Sequence, residues 1–435
     1  MENLENIEEN TMIKSSTRLA IMGWSICLIG ALFYSYEYFL RIMPSVMSAK
    51  LMAHFNIEAG ALGIFVAIYY WAYVPLQLPV GLLHDRFGPR RLLTFACLLC
   101  VVGTYMFGIS HSIYIAATGR LFVGIGSAFA FVGVLKLASI WLPADRFALV
   151  AGLTSALGTV GAIVGEKSLA SLVEHTNIAQ TIYISVIAGL LIAFLIWVFV
   201  RDESPYSAEV KSDDAASFAH VIEEMIVILR NPQIWVVGLI GCLIYLPTTI
   251  FAEQWAPLYL EQARGFTIEQ AANATSALFL GFTMGAPLAG FISDRIHKRR
   301  LPLFVGALAT TVVSAAAIYL PNLTPSMMEF VLFALGIAYG SQTLVFAIGK
   351  EISPDDAPGT AIAVTNMLVM LGGMFLQPIV GYILSLYGPE IIIKGTPVYS
   401  ITSYQCALAV LPIGAFVSVV LVSFLKESMH LAKKS

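Results

Sequence analysis

Charge is what this sequence has least of. Asp, Glu, Lys and Arg make up 12% of the 435 residues, about half the share usual in soluble domains. The formal net charge is −3, so there is no cationic surplus with which to bind a nucleic acid. The five cysteines (Cys27, Cys97, Cys100, Cys242 and Cys406) all fall within apolar stretches. Cys97 and Cys100 share a C-x-x-C spacing, but they lack a second pair or a neighbouring histidine and read as small apolar helix residues. The seven histidines are scattered, and no metal or other cofactor is expected. There is no G-x-S-x-G placed to form a nucleophile elbow and no G-x-x-x-x-G-K-[ST] phosphate loop. These absences argue against an enzyme and against work driven by ATP hydrolysis within the chain. The first residues are polar and acidic and show no cleavable signal.

What fills the space is apolar. Hydrophobic residues reach 58% and the mean hydropathy is +0.82, more apolar surface than a soluble core can absorb and suited to a lipid bilayer. Twelve apolar runs of spanning length lie between residues 19 and 425, which predicts an all-α membrane protein. The expected organisation is a tail at 1–18, a six-helix half at 19–200, a polar centre at 201–232, a second six-helix half at 233–425 and a tail at 426–435. Within the centre, FAHVIEEMIVILR is amphipathic and could lie on the membrane surface. If both termini are cytoplasmic, only Lys50, Arg264 and Lys394 among the loop cations face outside, a strong positive-inside bias.

The halves repeat one another. Residues 81–91 read GLLHDRFGPRR and residues 290–300 read GFISDRIHKRR. Aligning Asp85 on Asp294 aligns Gly81 on Gly290, Arg86 on Arg295, and Arg90 and Arg91 on Arg299 and Arg300. His297 stands where the first copy has Gly88. A second echo joins GIGSAFAFVGVLKLASIWLP (124–143) to GIAYGSQTLVFAIGKEISP (336–354), with Lys136 on Lys350. Parallel duplication of a six-span unit is a transporter architecture.

The first D-R loop closely resembles the loop 2–3 signature of the major facilitator superfamily, G-x-L-x-D-R-x-G-x-[RK]-[RK], and R-L-F-V-G-I-G-S-A around Arg120 is similar to its helix 4 motif. FYSYEYFLRIMPSVM (33–47), PVGLLHDRFGPRRLL and SAFAFVGVLKLASIWLP are similar to a bacterial group that includes phagosomal nutrient transporters, linked to uptake of amino acids or nucleosides. A more distant likeness is to lysosomal dipeptide transporters. The resemblance implies a twelve-helix fold in two pseudo-symmetric halves, working by alternating access, with helices 1, 4, 7 and 10 lining a central cavity. Helix 5 carries GTVGAIVGE (158–166) without the proline of the antiporter signature, which argues mildly against a proton-driven drug exporter.

In that setting the D-R loops read as a cytoplasmic gate made of Gly81, Asp85, Arg86, Gly88, Arg90, Arg91, Asp294 and Arg295. Asp85 can accept from Arg86 or Arg90 or sit at a helix end of the other half. Gly81 would permit close helix approach and Gly88 a tight turn. The alternative is charge that only sets topology. Lys136 and Lys350, near the cytoplasmic ends of their helices, could anchor there, contact Glu351 or Asp145, or meet an anionic substrate.

The intramembrane charges point to the cargo site, because each is costly unless paired or hydrated. Counting about 1.5 Å per residue, Glu37, Arg41, Arg120, Glu166, Lys167 and Glu253 fall in one layer of the outer half. They admit two readings. Fixed ion pairs would join Glu37 to Arg41, and Glu166 to Arg120 or Lys167. Alternatively Glu37, Glu166 and Glu253 carry protons, while Arg41 or Arg120 holds a substrate carboxylate. Tyr34, Tyr38, Lys167, Tyr245, Gln254, Trp255, Gln342 and Asn366 complete the candidate substrate site. The expectation is a monomeric, proton-coupled importer of a small polar nutrient, such as an amino acid or short peptide, in a bacterial inner membrane. The alternatives are an exporter of a drug-like or siderophore-like metabolite, an importer of an organic anion or nucleoside, and a non-transporting receptor or channel.

Overall fold

The computed structural model describes residues 2–143, 146–175, 178–203, 218–354 and 357–428. The most polar part of the centre (204–217), Asp145 and the tail from 429 lie outside the described residues. Among the described residues, twelve helices are long and apolar enough to span a bilayer. In chain order they are α1 Ala20–Val46, α2 Ala59–Leu76, α3 Pro89–Ile109, α4 Ile113–Trp141, α5 Leu149–Leu172 and α6 Ala179–Phe199, then α7 Pro232–Gln262, α8 Ile268–Ile296, α9 Arg300–Tyr319, α10 Pro325–Glu351, α11 Pro358–Tyr387 and α12 Ile401–Phe424. Below, "inner" denotes the end that carries the two D-R loops.

Local irregularities mark the helices nearest the centre. A π-helical stretch, Pro247–Trp255, interrupts α7, and a 3₁₀ turn, Gly340–Thr343, interrupts α10. Such breaks free backbone groups and re-aim side chains, and they concentrate at functional sites. The amphipathic helix Phe218–Arg230 docks by Ile228 against Ala361, Val364 and Leu368 of α11. Thr360 donates to Glu224 at 2.6 Å, so this face is packed on protein.

A third echo of the duplication becomes visible in three dimensions. Asp202, three residues beyond Phe199 at the end of α6, accepts from the backbone N–H of Arg90 at 2.7 Å. Glu427, three residues beyond Phe424 at the end of α12, accepts from the N–H of Arg299 at 2.7 Å and of Arg300 at 3.2 Å. Each carboxylate caps the positive N-terminus of the helix after a D-R loop. Both loops turn through a residue at positive φ, Gly88 (φ 78, ψ 146) and His297 (φ 54, ψ 42), with different ψ.

The outer ends of the halves are sealed together. The first N–H groups of α2, which no helix carbonyl can satisfy, are taken by the other half: Ala59 donates to Tyr399 Oη at 2.9 Å and Gly60 to Ser385 Oγ at 2.8 Å. A Cβ on Gly63 would sit 2.6 Å from the carbonyl oxygen of Gln377. A hairpin of β1 (Ile391–Ile393) and β2 (Thr396–Val398) turns through Lys394 and Gly395, both at positive φ, as a tight hairpin twist requires. It lies on the helix Ser48–Phe55, with Thr396 donating to the Ala49 carbonyl at 3.1 Å. At the inner ends, glycines of α5, α8 and α11 and the glycine that follows α2 in the helix Pro79–Phe87 behave oppositely. A Cβ on Gly81, Gly152, Gly290 or Gly359 would meet nothing within 4 Å. The molecule is closed outside and parted inside.

Candidate functional site

Four of the predicted charges converge between α1, α2, α4 and α7. Glu37 and Arg41 lie one turn apart on α1, and Arg41 Nη2 donates to Glu37 Oε1 at 3.0 Å. Tyr69 of α2 bridges them, receiving from Arg41 Nε at 3.0 Å and donating to Glu37 Oε2 at 3.1 Å. The guanidinium also lies over the rings of Tyr38 (4.5 Å), Tyr69 (5.2 Å) and Tyr73 (5.1 Å), a cage suited to a desolvated cation. Arg41 Nη1 then reaches across the halves to Glu253 Oε1 at 3.6 Å. Tyr70 donates to the other Glu253 oxygen. The π-helical stretch of α7 holds Glu253 there with Gln254 and Trp255, all fully buried. Gln254 donates to Ser48 at 3.0 Å. Tyr38 and Tyr245 share a hydroxyl contact of 3.3 Å, so α1 and α7 meet along a polar seam.

Arg120 differs from Arg41. It is 3% exposed and donates one bond, from Nη1 to the Leu40 carbonyl at 3.0 Å. Its Nε and Nη2 are buried without a hydrogen-bond partner, and it has no carboxylate partner among the described residues. The ring of Tyr69, 5.1 Å away, separates it from Arg41. A void of about 10 Å³ lies beside it, next to Leu40, Met43 and Val123, room for about one water. In this conformation the site has collapsed around its arginines.

Glu166 lies on the α5 side of α1, where it accepts from Ser45 at 3.3 Å and leaves Oε2 buried and unpartnered. The expected pairing with Arg120 or Lys167 does not occur. Arg120 faces α1 from α4, and Lys167 is exposed, so Lys167 does not join the cluster. Tyr34 packs edge-on to Tyr38 at 6.0 Å. Gln342 is buried in the 3₁₀ turn. Asn366 donates to Gln77 of α2 at 3.0 Å, a contact between the halves. Tyr69 and Tyr70 are absent from the candidate residues read from sequence, yet between them they bind both central carboxylates. The signal was three tyrosines beside a tryptophan within one apolar helix.

At the inner face the D-R residues work within their own halves. Asp85 pairs with Lys136 of α4 at 2.6 Å, in place of Arg86 or Arg90; Asp145, the other expected partner of Lys136 beside Glu351, lies outside the described residues. Arg86 lies over its neighbour Phe87, with 5.5 Å to the ring centroid, and Arg91 is exposed. Arg90 donates to the Trp197 carbonyl at 2.9 Å and stacks on that ring at 4.4 Å. In the second half Arg299 holds both Asp294 (2.6 Å) and Glu351 (2.8 Å), while Arg295 is exposed. Gly81 faces open space in this state rather than a neighbouring helix. Gly88 does make the expected turn, and its missing Cβ leaves room for Asp202. Beyond the end of α2, burial lowers the His84 imidazole to about 4, with its bond to the Phe129 carbonyl opposing the shift.

Comparison with known proteins agrees with this architecture. The chain is 22% identical over 387 residues to "Probable sulfoacetate transporter SauU" of Cupriavidus necator, covering 86% of this chain and 88% of that one. It is 26% identical over 398 residues to "Probable galactarate/D-glucarate transporter GudP" of Pseudomonas putida, covering 83% and 85%. Among solved structures, the bacterial homologue of the human lysosomal transporter Spinster shares the fold with a TM-score of 0.71 at 17% identity, over 94% of this chain and 96% of that one. The family model described as Major Facilitator Superfamily matches residues 26–377, and with that span of the chain matched, this multi-pass membrane protein belongs to the Major Facilitator Superfamily.

Proposed function

We propose that this protein is a proton-coupled importer of a small organic anion, working by alternating access as a monomer in a bacterial inner membrane with both termini cytoplasmic. The observation that carries the reading is Arg120, a buried guanidinium with two unused donors and no carboxylate partner among the described residues. A carboxylate or sulfonate can take both donors in a forked contact. The named cargoes of SauU and GudP are also organic anions. An amino acid or short peptide, the first expectation from sequence, would need a free carboxylate for its amine beside that arginine. Glu37 and Glu253 are already engaged by Arg41.

Charge bookkeeping supplies the coupling. With Glu37, Glu253, Arg41 and Arg120 all ionised, the centre is neutral. An anion arriving at Arg120 leaves the centre negative, by two charges for glucarate or sulfoacetate, and net charge in a dry site is expensive. Protons arriving with the anion, one for each of its charges, restore neutrality. Glu253 is the best carrier, since its 3.6 Å contact to Arg41 crosses the halves and changes as they rock. Glu166, buried with no cationic partner among the described residues, is a second resting place for a proton. The missing proline in GTVGAIVGE favours import over drug exchange.

Proteoliposomes test the proposal. An inward proton gradient should drive accumulation of glucarate or sulfoacetate but not of alanine or a dipeptide, with saturation and trans-stimulation in counterflow. Arg120→Gln should lower anion uptake at least tenfold, the cost of about 1.5–3 kcal/mol for a charge-assisted bond. Uptake of alanine in preference to the acids would overturn the substrate class. Flux without trans-stimulation would make the protein a channel.

A further inference from the structure

At the inner face, a groove of about 460 Å³ opens between the start of α9 and the end of α12. Lys298 and Arg300 stand at its mouth, and Leu301, Phe304 and Val422 form its wall. Arg300 spends one donor on the Ser423 carbonyl at 3.0 Å, leaving the rest of the guanidinium free to meet a ligand. The lysine ammonium has no side-chain partner among the described residues. Glu427 also borders the groove, but its two oxygens are engaged by the N–H groups of Arg299 and Arg300.

The other half shows what is unusual here. By the D-R alignment, Leu92 and Phe95 correspond to Leu301 and Phe304, so the apolar wall is kept. Three lining positions differ in kind. By the register that puts Asp202 on Glu427, Trp197 corresponds to Val422 and Val198 to Ser423, and by the D-R alignment Pro89 corresponds to Lys298. In the first half the indole, about half exposed at the surface, carries the Arg90 guanidinium of α3 on its face at 4.4 Å. In the second half the indole is absent and a cation has been added. The gap sits where an apolar wall meets the inner interface, with two positive charges at the height of lipid headgroups.

We propose that this groove is a binding site for an anionic phospholipid of the inner leaflet, its phosphate held by Lys298 and Arg300 and an acyl chain lying along Leu301, Phe304 and Val422. The chemistry selects headgroup charge, because a zwitterionic phospholipid brings its own ammonium to the same two cations. The inference is independent of the cargo.

The test uses the full-length protein, delipidated in a neutral maltoside detergent and titrated with phosphatidylglycerol or phosphatidylcholine, with bound lipids counted by native mass spectrometry. The wild type should bind phosphatidylglycerol roughly thirtyfold more tightly, given about 1 kcal/mol for each of the two basic residues near the surface. Lys298→Ser should reduce that preference about fivefold. Val422→Trp, which copies the first half, should remove the high-affinity phosphatidylglycerol site. Val422→Ile is the control for tolerance at this position and should behave as wild type. Equal binding of the two lipids by the wild type would overturn the site. So would an undiminished preference in both Lys298→Ser and Val422→Trp, which would place the anionic lipid elsewhere on the surface.

Discussion

Glu253→Gln isolates the step that joins charge to movement. Glu253 touches the opposite half at two points, Arg41 at 3.6 Å and the Tyr70 hydroxyl, and both contacts belong to the outward-closed arrangement. The gross attraction of unit charges at that separation is about 4–5 kcal/mol at an effective dielectric constant of about 20. Most of it is not lost in the amide. Gln can still accept from Tyr70, and Arg41 keeps Glu37 at 3.0 Å. A net weakening of about 1–2 kcal/mol remains, enough to move the balance of outward-closed and outward-open forms roughly 5- to 30-fold. The amide also cannot take up or release a proton. The expected outcome in proteoliposomes is loss of accumulation driven by a proton gradient, with counterflow retained. Spin-label distances between the outer ends of α2 and α11 should shift toward the longer population. Full gradient-driven accumulation by the variant would show that Glu253 carries no proton, and unchanged distances would show that it does not hold the outer side shut.

Two further predictions bear on the frame. Gly63→Val should hold the outer side open, because its Cβ would lie 2.6 Å from the Gln377 carbonyl oxygen; Gly81→Val, whose Cβ meets nothing in this conformation, should instead favour the inward-parted form, and identical distance distributions for the two variants would refute the assignment of the state. His84 is kept neutral by burial, at about 4 against an ordinary 6.5. Between those values the unfolded chain binds the extra proton, so stability falls as pH drops from about 6.5 to about 4, by roughly 3 kcal/mol in all. Thermal melts of His84→Gln should lack that acid loss, and parallel pH profiles for variant and wild type would reject it.

The spans, their division into halves and the D-R loops could be read from hydropathy and repetition, because a bilayer imposes length and composition on each helix separately. The pair Glu37–Arg41 was equally legible, since spacing of four on one helix determines a neighbour. Contacts between helices were not. Nothing in the local sequence says that Glu253 would meet Arg41, that Glu166 would meet Ser45, or that Lys167 would turn outward. Such choices depend on the rotation of each helix about its axis, and the π-helical stretch of α7 alters that rotation for Glu253. Asp85 with Lys136 is the same case, a partner on another helix chosen over two arginines in its own loop.

That last contact changes how the repeated loop works. A latch between halves would place Asp85 or Asp294 against the other half when the inner side closes, yet with the inner side parted neither aspartate is left waiting in solvent without a cation. Asp85 ties the end of α2 to α4, Arg299 ties the end of α8 to α10, and Asp202 and Glu427 tie each following helix to the last helix of its half. These bonds make each half a stiff body at the end where it must part. Stiffness there is what lets a change at Arg41 and Glu253 be transmitted as rotation of a whole half and not dissipated as bending of one helix. The outer seal is built differently, from α2 backbone N–H groups capped by Tyr399 and Ser385. Water can replace those caps one for one when the seal opens, so opening costs little in hydrogen bonds. The balance between the two states is thereby left to the few charged contacts at the centre, which cargo and protons can change.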